Sequence, residues 1–381
     1  MSFFYTFVGL AVGSMLLTSS LIPLIRGWAK ASGLVDDPED ESYKTHAHTT
    51  PYGGGVAIFI GAMVPLLGVT AWLGWNRADA FLEGGMWVDL WAPYALFPLA
   101  PDSPTIEQLS QILSLFVAAT LMFLVGWIDD RRSLSPGIRF TAQIMTAGTM
   151  AGLVPGFQLD LLGSATVAWL GATLWIAALT NAFNFLDNMN GLAAGLAAIA
   201  LAALGATAVA SEHVPAAVLS VILIGAASGF LIYNFPVASI FMGDSGGLFL
   251  GYCVGGLSVL LSHRFGELGF VDTTMPYRLI PLMVLVVPVY DLVSVVLLRL
   301  RRGRPPWLGD TNHISHRIVR LGLEPTHAVL AVHTVASVLI LPCLIVLHVG
   351  PGMAWRILGG VLAAIIAAAA ADYISLRRDP A

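Results

Sequence analysis

Asn181, Asn184, Asp187 and Asn190 recur at every third position through the stretch NAFNFLDNMNGLAAG, between two apolar runs each rich enough to cross a bilayer. Amides and a carboxylate at a membrane boundary are costly unless they bind something. On a regular α-helix a step of three drifts by about 60°, so four such residues fan over roughly half the circumference. The expectation is a helix end that unwinds near Asn188 and Gly191, with side chains converging on one ligand. An ordinary turn is the competing reading, because Asn, Asp and Gly are turn formers.

Four further stretches carry chemistry. In YKTHAHTTPYGGG, Lys44, His46 and His48 precede Pro51 and three glycines; a glycine-rich helix start with cations beside it can hold a phosphate, or touch anionic lipid. In VGWIDDRRSLSP, Asp129 and Asp130 close an apolar run. Carboxylates at a helix C-terminus oppose the macrodipole. Neighbours on a helix point about 100° apart, so one faces the reacting atoms while the other orients a partner or a metal. In FMGDSGG, Asp244 suits either an N-cap or a Mg²⁺ ligand. Asp291 lies inside an apolar run, one turn after Pro288 and ahead of Arg299, Arg301, Arg302 and Arg304. An ionisable residue within a span is functional by default and needs a partner. Then comes GDTNHISHRIVR, whose His313 and His316 share one helix face with Arg317 and Arg320 and suit phosphate contact or proton transfer. Oxygen-rich and thiolate-free, the set fits Mg²⁺, with Mn²⁺ as alternative, and a phosphate-bearing substrate. Phosphoryl transfer at an inner membrane surface is the chemistry implied.

The elements that must position these residues are membrane spans. Of 381 residues, 57% are hydrophobic and 11% charged, with a mean hydropathy of +0.81, outside the soluble range. The reading is an all-α polytopic protein, a single transmembrane domain over residues 1–381, with about eleven spans. They begin near Phe3, Gly54, Leu109, Ile138, Ala165, Leu192, Pro215, Gly247, Leu279, Ala328 and Trp355; the fourth, Ile138 to Val154, is short. The first is read as an uncleaved helix. With the amino terminus outside and the tail inside, every polar cluster falls on the cytoplasmic face. Of the 18 Lys and Arg residues, all but Arg77, Arg264, Arg278 and Arg356 then lie on that face, as the positive-inside rule requires. The outer loop from Trp75 to Gln108, with Trp87, Trp91 and Tyr94, reads as an interfacial segment. Cys253 and Cys343 sit in apolar runs and imply no disulfide or thiolate site. No nucleic-acid surface is expected.

Taken together, the motifs resemble the polyprenyl-phosphate N-acetylhexosamine-1-phosphate transferases, a family of glycosyltransferase 4 type, and look closer to its undecaprenyl-phosphate GlcNAc-1-phosphate branch than to the muramoyl-pentapeptide branch. The resemblance runs from about Gly33 to about Gly322 in five ordered blocks: Lys44 and His46 before Pro51, Gly54 and Gly55; Asp129 and Asp130; Asn181, Asn184 and Asp187; the magnesium-binding Asp at Asp244; Pro288 with Asp291, then His313 and His316. Three positions depart from it: Asn190 replaces a second acidic residue, Ser315 a central histidine, and Arg139 a common lysine.

The resemblance implies a Mg²⁺-dependent enzyme of the bacterial inner membrane that moves sugar 1-phosphate from a UDP-N-acetylhexosamine, with UDP-GlcNAc favoured, to polyprenyl phosphate, releasing UMP and starting lipid-linked cell-envelope glycan synthesis. Asp129, Asp130, Asp187, His313 and His316 are the expected catalytic residues. Substrate contacts are expected from Lys44, His46, Asn181, Asn184, Asp291, Arg302, Arg304 and Arg317, and the metal from Asp244, Asn184 and Asp187. A homodimer is compatible with this reading. The rivals are a secondary transporter or lipid flippase, which would place substrate groups at the midplane and show inverted repeats, and a non-catalytic homologue.

Overall fold

The computed structural model describes residues 2–36, 49–82, 104–161, 163–268 and 275–378. These form thirteen α-helices and one two-residue antiparallel ladder. The helices are α1 (Ser2–Ala31), α2 (Gly54–Leu82), α3 (Pro104–Arg132), α4 (Pro136–Leu153), α5 (Ala165–Leu186), α6 (Leu192–Ala210), α7 (Val214–Asn234), α8 (Gly243–Glu267), α9 (Met275–Met283), α10 (Val286–Arg301), α11 (Ile314–Arg320), α12 (Pro325–Val346) and α13 (Pro351–Arg378). Strands β1 (Val35–Asp36) and β2 (Thr50–Pro51) pair beside the start of α2.

Among the described residues nine helices are long and apolar enough to cross a membrane, and α9 with α10 makes a tenth span bent by 64°. The remaining expected span, the fourth, is α4, which does form a helix and runs between the same two ends of the bundle. Arg139, Thr141 and Gln143 in its sequence leave it short of the apolarity of the others. The break in the bent span falls at Val284 and Leu285, and Pro288 sits in the first turn of α10. The segment expected to begin an outer loop at Trp75 continues as helix to Leu82, and α3 starts at Pro104; Trp87, Trp91 and Tyr94 lie outside the described residues.

Helix α8 is the axis. Its apolar stretch is wholly buried, whereas α1 and α13 are largely exposed to the surroundings; α2, α3, α5, α6 and α9 pack on it. Close approach depends on missing side chains. A Cβ at Gly126 of α3 would stand 2.5 Å from the Asp244 carbonyl carbon, and one at Gly247 of α8 would stand 3.0 Å from the Asn184 Cα of α5. Small residues at these crossings let backbones touch in lipid, where no hydrophobic drive separates helix from lipid tail. They also bring three polar helix ends to the same place.

Candidate active site

The carboxylates come together at one end of the bundle. Asp129, near the C-terminus of α3, accepts from Leu134 N at 2.5 Å through Oδ1 and pairs through Oδ2 with Arg139 Nη1 at 2.5 Å. The same guanidinium nitrogen lies 2.9 Å from Asp244 Oδ2, and Asn184 Nδ2 donates to the other Asp244 oxygen at 2.7 Å. Asp130 points the other way: its two oxygens accept from Asp244 N at 2.7 Å and Ser245 N at 3.2 Å. Neighbouring positions on α3 therefore divide the work, as the 100° helical step requires: Asp129 faces the cluster and Asp130 anchors the first turn of α8.

Asp244 is not the N-cap of its helix. That position is Met242, which leaves the Asp244 carboxylate free for Arg139 and Asn184. Asp187 caps the C-terminus of α5, where the chain turns through Asn188 and left-handed Gly191 into α6. It is half-buried by surface area yet densely surrounded. Burial, then the charges of Asp244 and Asp130, hold its carboxyl well above the usual carboxylate range, against a hydrogen bond from Gly243. Asp129 and Asp244 thus share one guanidinium, with the Asp130 and Asp187 carboxylates close by. Among the described residues no three His, Cys, Asp or Glu side chains form a ready-made metal cage. The hard-oxygen donor set and its uncompensated negative charge nonetheless fit a divalent cation whose shell is completed by substrate oxygens and water.

A second cluster lies across the end of α5. His313 is the N-cap of α11 and does not share a helical face with His316. Its Nδ1 meets Asp291 Oδ2 at 2.6 Å, while Ile314 N donates to Asp291 Oδ1 at 2.7 Å. Asp291, expected to touch substrate, is fully buried and spent on these two bonds; His313 is the partner that this ionisable residue within a span requires. On its other side His313 Nε2 lies 3.4 Å from Arg299 Nη2. With Nδ1–H donating to Asp291, Nε2 is the acceptor, a tautomer assigned from the bonding pattern. Arg299 is itself held by Asp310 at 3.0 Å and by the Pro306 carbonyl at 2.6 Å. Burial alone would raise the Asp310 carboxyl, but the Arg299 guanidinium and Asn312 pull it down to about 2. Burial, reinforced by the Arg320 charge, lowers His316 to about 4, so its imidazole is neutral at pH 7.

Phe185 joins the clusters: its ring lies 6.2 Å from that of His313 and 5.2 Å from the Arg299 guanidinium, and it follows Asn184 directly. Ser315 Oγ donates to Asn188 Oδ1 at 2.9 Å, a second tie between α11 and the α5–α6 corner. Asn190 turns away and donates to the Pro236 carbonyl. Asn181 lies deeper along α5, bonded to Gln143 and to the Ala177 carbonyl. Arg302 and Arg304 are exposed beside the second cluster, Arg302 bonding Asn312 at 3.3 Å. Arg317, expected to touch substrate, is buried and bound to Asp372 and Ser294. Lys44 and His46 lie outside the described residues. Three residues central to the geometry, Arg139, Arg299 and Asp310, were not among the expected site residues. For Arg299 and Asp310 the signal was a basic residue at a span's end and a lone Asp before Thr-Asn-His; for Arg139 it was a cation ten positions after Asp129.

The pattern describing glycosyl transferase family 4 matches residues 112–262. A Bacillus subtilis (strain 168) protein named "Probable undecaprenyl-phosphate N-acetylglucosaminyl 1-phosphate transferase" is 28% identical over 85% of this chain and 80% of its own length. The decaprenyl-phosphate N-acetylglucosaminephosphotransferase of Mycolicibacterium smegmatis is 28% identical over 96% of this chain and 88% of its own. Its counterpart in Mycobacterium leprae is 30% identical over 66% of this chain and 69% of its own. Shared pattern, relatives that match along most of their length and a polytopic helical fold lead to one conclusion: this chain belongs to glycosyl transferase family 4.

Proposed function

We propose that this chain transfers N-acetylglucosamine 1-phosphate, or that of a related N-acetylhexosamine, from a UDP-sugar to a polyprenyl phosphate such as undecaprenyl phosphate. The products are UMP and a polyprenyl-diphospho-sugar that starts lipid-linked cell-envelope glycan synthesis at the cytoplasmic face of a bacterial inner membrane. The observation that carries the reading is the gathering of Asp129, Asp130, Asp187 and Asp244 from three helix ends at one mouth of an apolar bundle, where Arg139 pairs with Asp129 and Asp244. There a lipid phosphate and a soluble nucleotide can meet.

Asp244, with Asn184 and Asp187, would hold Mg²⁺ or Mn²⁺, which when bound supplies Lewis-acid neutralisation of the diphosphate. Asp129 and Arg139 receive and orient the lipid phosphate. One of its oxygens attacks the sugar-linked phosphorus in line, and the bond from that phosphorus to the bridging oxygen breaks. UMP leaves with the bonding electrons. The exposed Arg302 and Arg304 offset the charge of the departing phosphate, and neutral His316 can give it a hydrogen bond, while His313 holds Arg299 in place. A polyprenyl phosphate is already a fair nucleophile, so a single displacement is preferred to a covalent aspartyl intermediate.

The test is release of UMP from a panel of UDP-sugars by the purified chain, with and without polyprenyl phosphate. Release that requires the lipid and is at least about a hundredfold slower in Asp244→Ala is expected. Near wild-type turnover by Asp244→Ala, or full turnover in excess chelator, would remove the metal assignment. Lipid-independent behaviour with no UMP at all would favour a transporter.

A further inference from the structure

Asp372 stands on α13, beyond the family match, which ends at residue 262. Helix α13 packs on α12 and α9 and is otherwise mostly exposed. Its one carboxylate within reach nevertheless enters the second cluster: Asp372 Oδ2 accepts from Arg317 Nη1 and from the Tyr290 hydroxyl. The other terminal nitrogen of Arg317 donates to Ser294 Oγ at 2.6 Å and lies 3.9 Å from Asp291 Oδ1. Asp291 in turn holds His313 and Ile314 N. The contacts form a relay from the last helix to the histidine turn.

The long member of that relay is informative. A buried carboxylate and a buried guanidinium at hand would ordinarily close into a short, two-pronged pair. Here Asp372 and Ser294 hold the guanidinium back. The short bonds of Asp291 are thereby left for His313 Nδ1 and the first turn of α11, and His313 Nε2 stays an acceptor. We infer that Asp372 is a positioning residue: it restrains Arg317 so that Asp291 fixes the orientation of His313. Its effect on turnover rests on the transferase reading above; its effect on His313 does not.

The experiment uses the full-length chain, purified in detergent without substrate, and follows carbethoxylation of His313 by diethyl pyrocarbonate with peptide mass spectrometry. Asp372→Asn is expected to raise the rate at least about threefold, Asp372→Glu to stay near the wild-type rate, and Arg317→Met to react alike with or without Asp372→Asn, because the second change acts only through the first. An unchanged rate in Asp372→Asn, or additive effects with Arg317→Met, would overturn the inference. In the UMP assay Asp372→Asn should lower kcat by roughly five- to thirtyfold with KM for the UDP-sugar within about twofold; a wild-type kcat would equally overturn it. A wild type that releases no UMP would defeat the functional reading while the modification rates still decide this one. Should Asp372→Asn fail to accumulate, Tyr290→Phe frees one tether of Asp372 and should raise the His313 rate about twofold; no rise would overturn the inference.

Discussion

Arg139 is the residue on which the acidic cluster turns, because one of its nitrogens satisfies Asp129 and Asp244 together. A lysine keeps the charge but loses the planar fork. Arg139→Lys should therefore retain activity reduced by about tenfold and Arg139→Gln by more than about a hundredfold, read as kcat in the UMP assay. Asp310 makes a different prediction. Its folded carboxyl sits near 2, below the ordinary 3.8, so its contribution to stability is complete above about pH 4 and is lost as pH falls through 2. At pH 7 Asp310→Asn should cost about 1–2 kcal/mol, seen as an apparent melting temperature several degrees lower that no longer differs from wild type at pH 2. The residue types here were readable from the chain. The pairings were not: Arg299 and Asp310 are eleven positions apart, and only the turn at Gly303 folds them together.

Among the elements, α8 decides where everything else goes. Gly126→Ala would drive a methyl into the backbone of Asp244, at 2.5 Å from its carbonyl carbon. Overpacking of that kind is worth about 1–3 kcal/mol, and it pushes α3 from α8 at the very turn that carries Asp129. Loss of at least about tenfold in kcat with retained membrane insertion is the expected result. At the opposite end of the bundle His213 caps α7: its Nδ1 accepts from Ala216 N at 3.2 Å and its Nε2 donates to Gln111 of α3 at 3.1 Å. Burial lowers it to about 4, so the folded state refuses a proton that the unfolded chain takes below about 6.5. Stability should fall as pH drops from 6.5 to 4, by up to about 3 kcal/mol. His213→Asn should flatten that dependence in thermal melts at pH 7 and pH 5. Helix positions were legible because apolar length is a strong signal, and α4 shows its limit. It was expected as a short span and does fold as a helix, but its polar residues keep it below the apolarity of the other spans.

For the whole molecule, the expected orientation becomes a labelling experiment. Arg304→Cys, on the same end of the bundle as the site, should react with an impermeant maleimide only from the cytoplasmic side, and Gly350→Cys, at the α12–α13 turn, only from outside. Cys253 and Cys343 are buried and should contribute little background. The opposite labelling pattern would remove the cytoplasmic assignment. By itself the sequence determined that the chain is a bundle of apolar helices, that its polar clusters lie where those helices end, and that oxygen ligands and phosphate suit the residue set. Composition and period are local, and a run of twenty apolar residues has few ways to be satisfied other than as a helix in lipid. What only the tertiary structure decided is which polar group serves which neighbour. Asp130 holds a backbone where Asp129 faces the cluster, Asp291 serves a histidine where substrate was expected, and Arg317 answers to a carboxylate on the last helix. Those assignments depend on helix rotation and on close crossings at glycine, and neither is written in the order of residues along one helix.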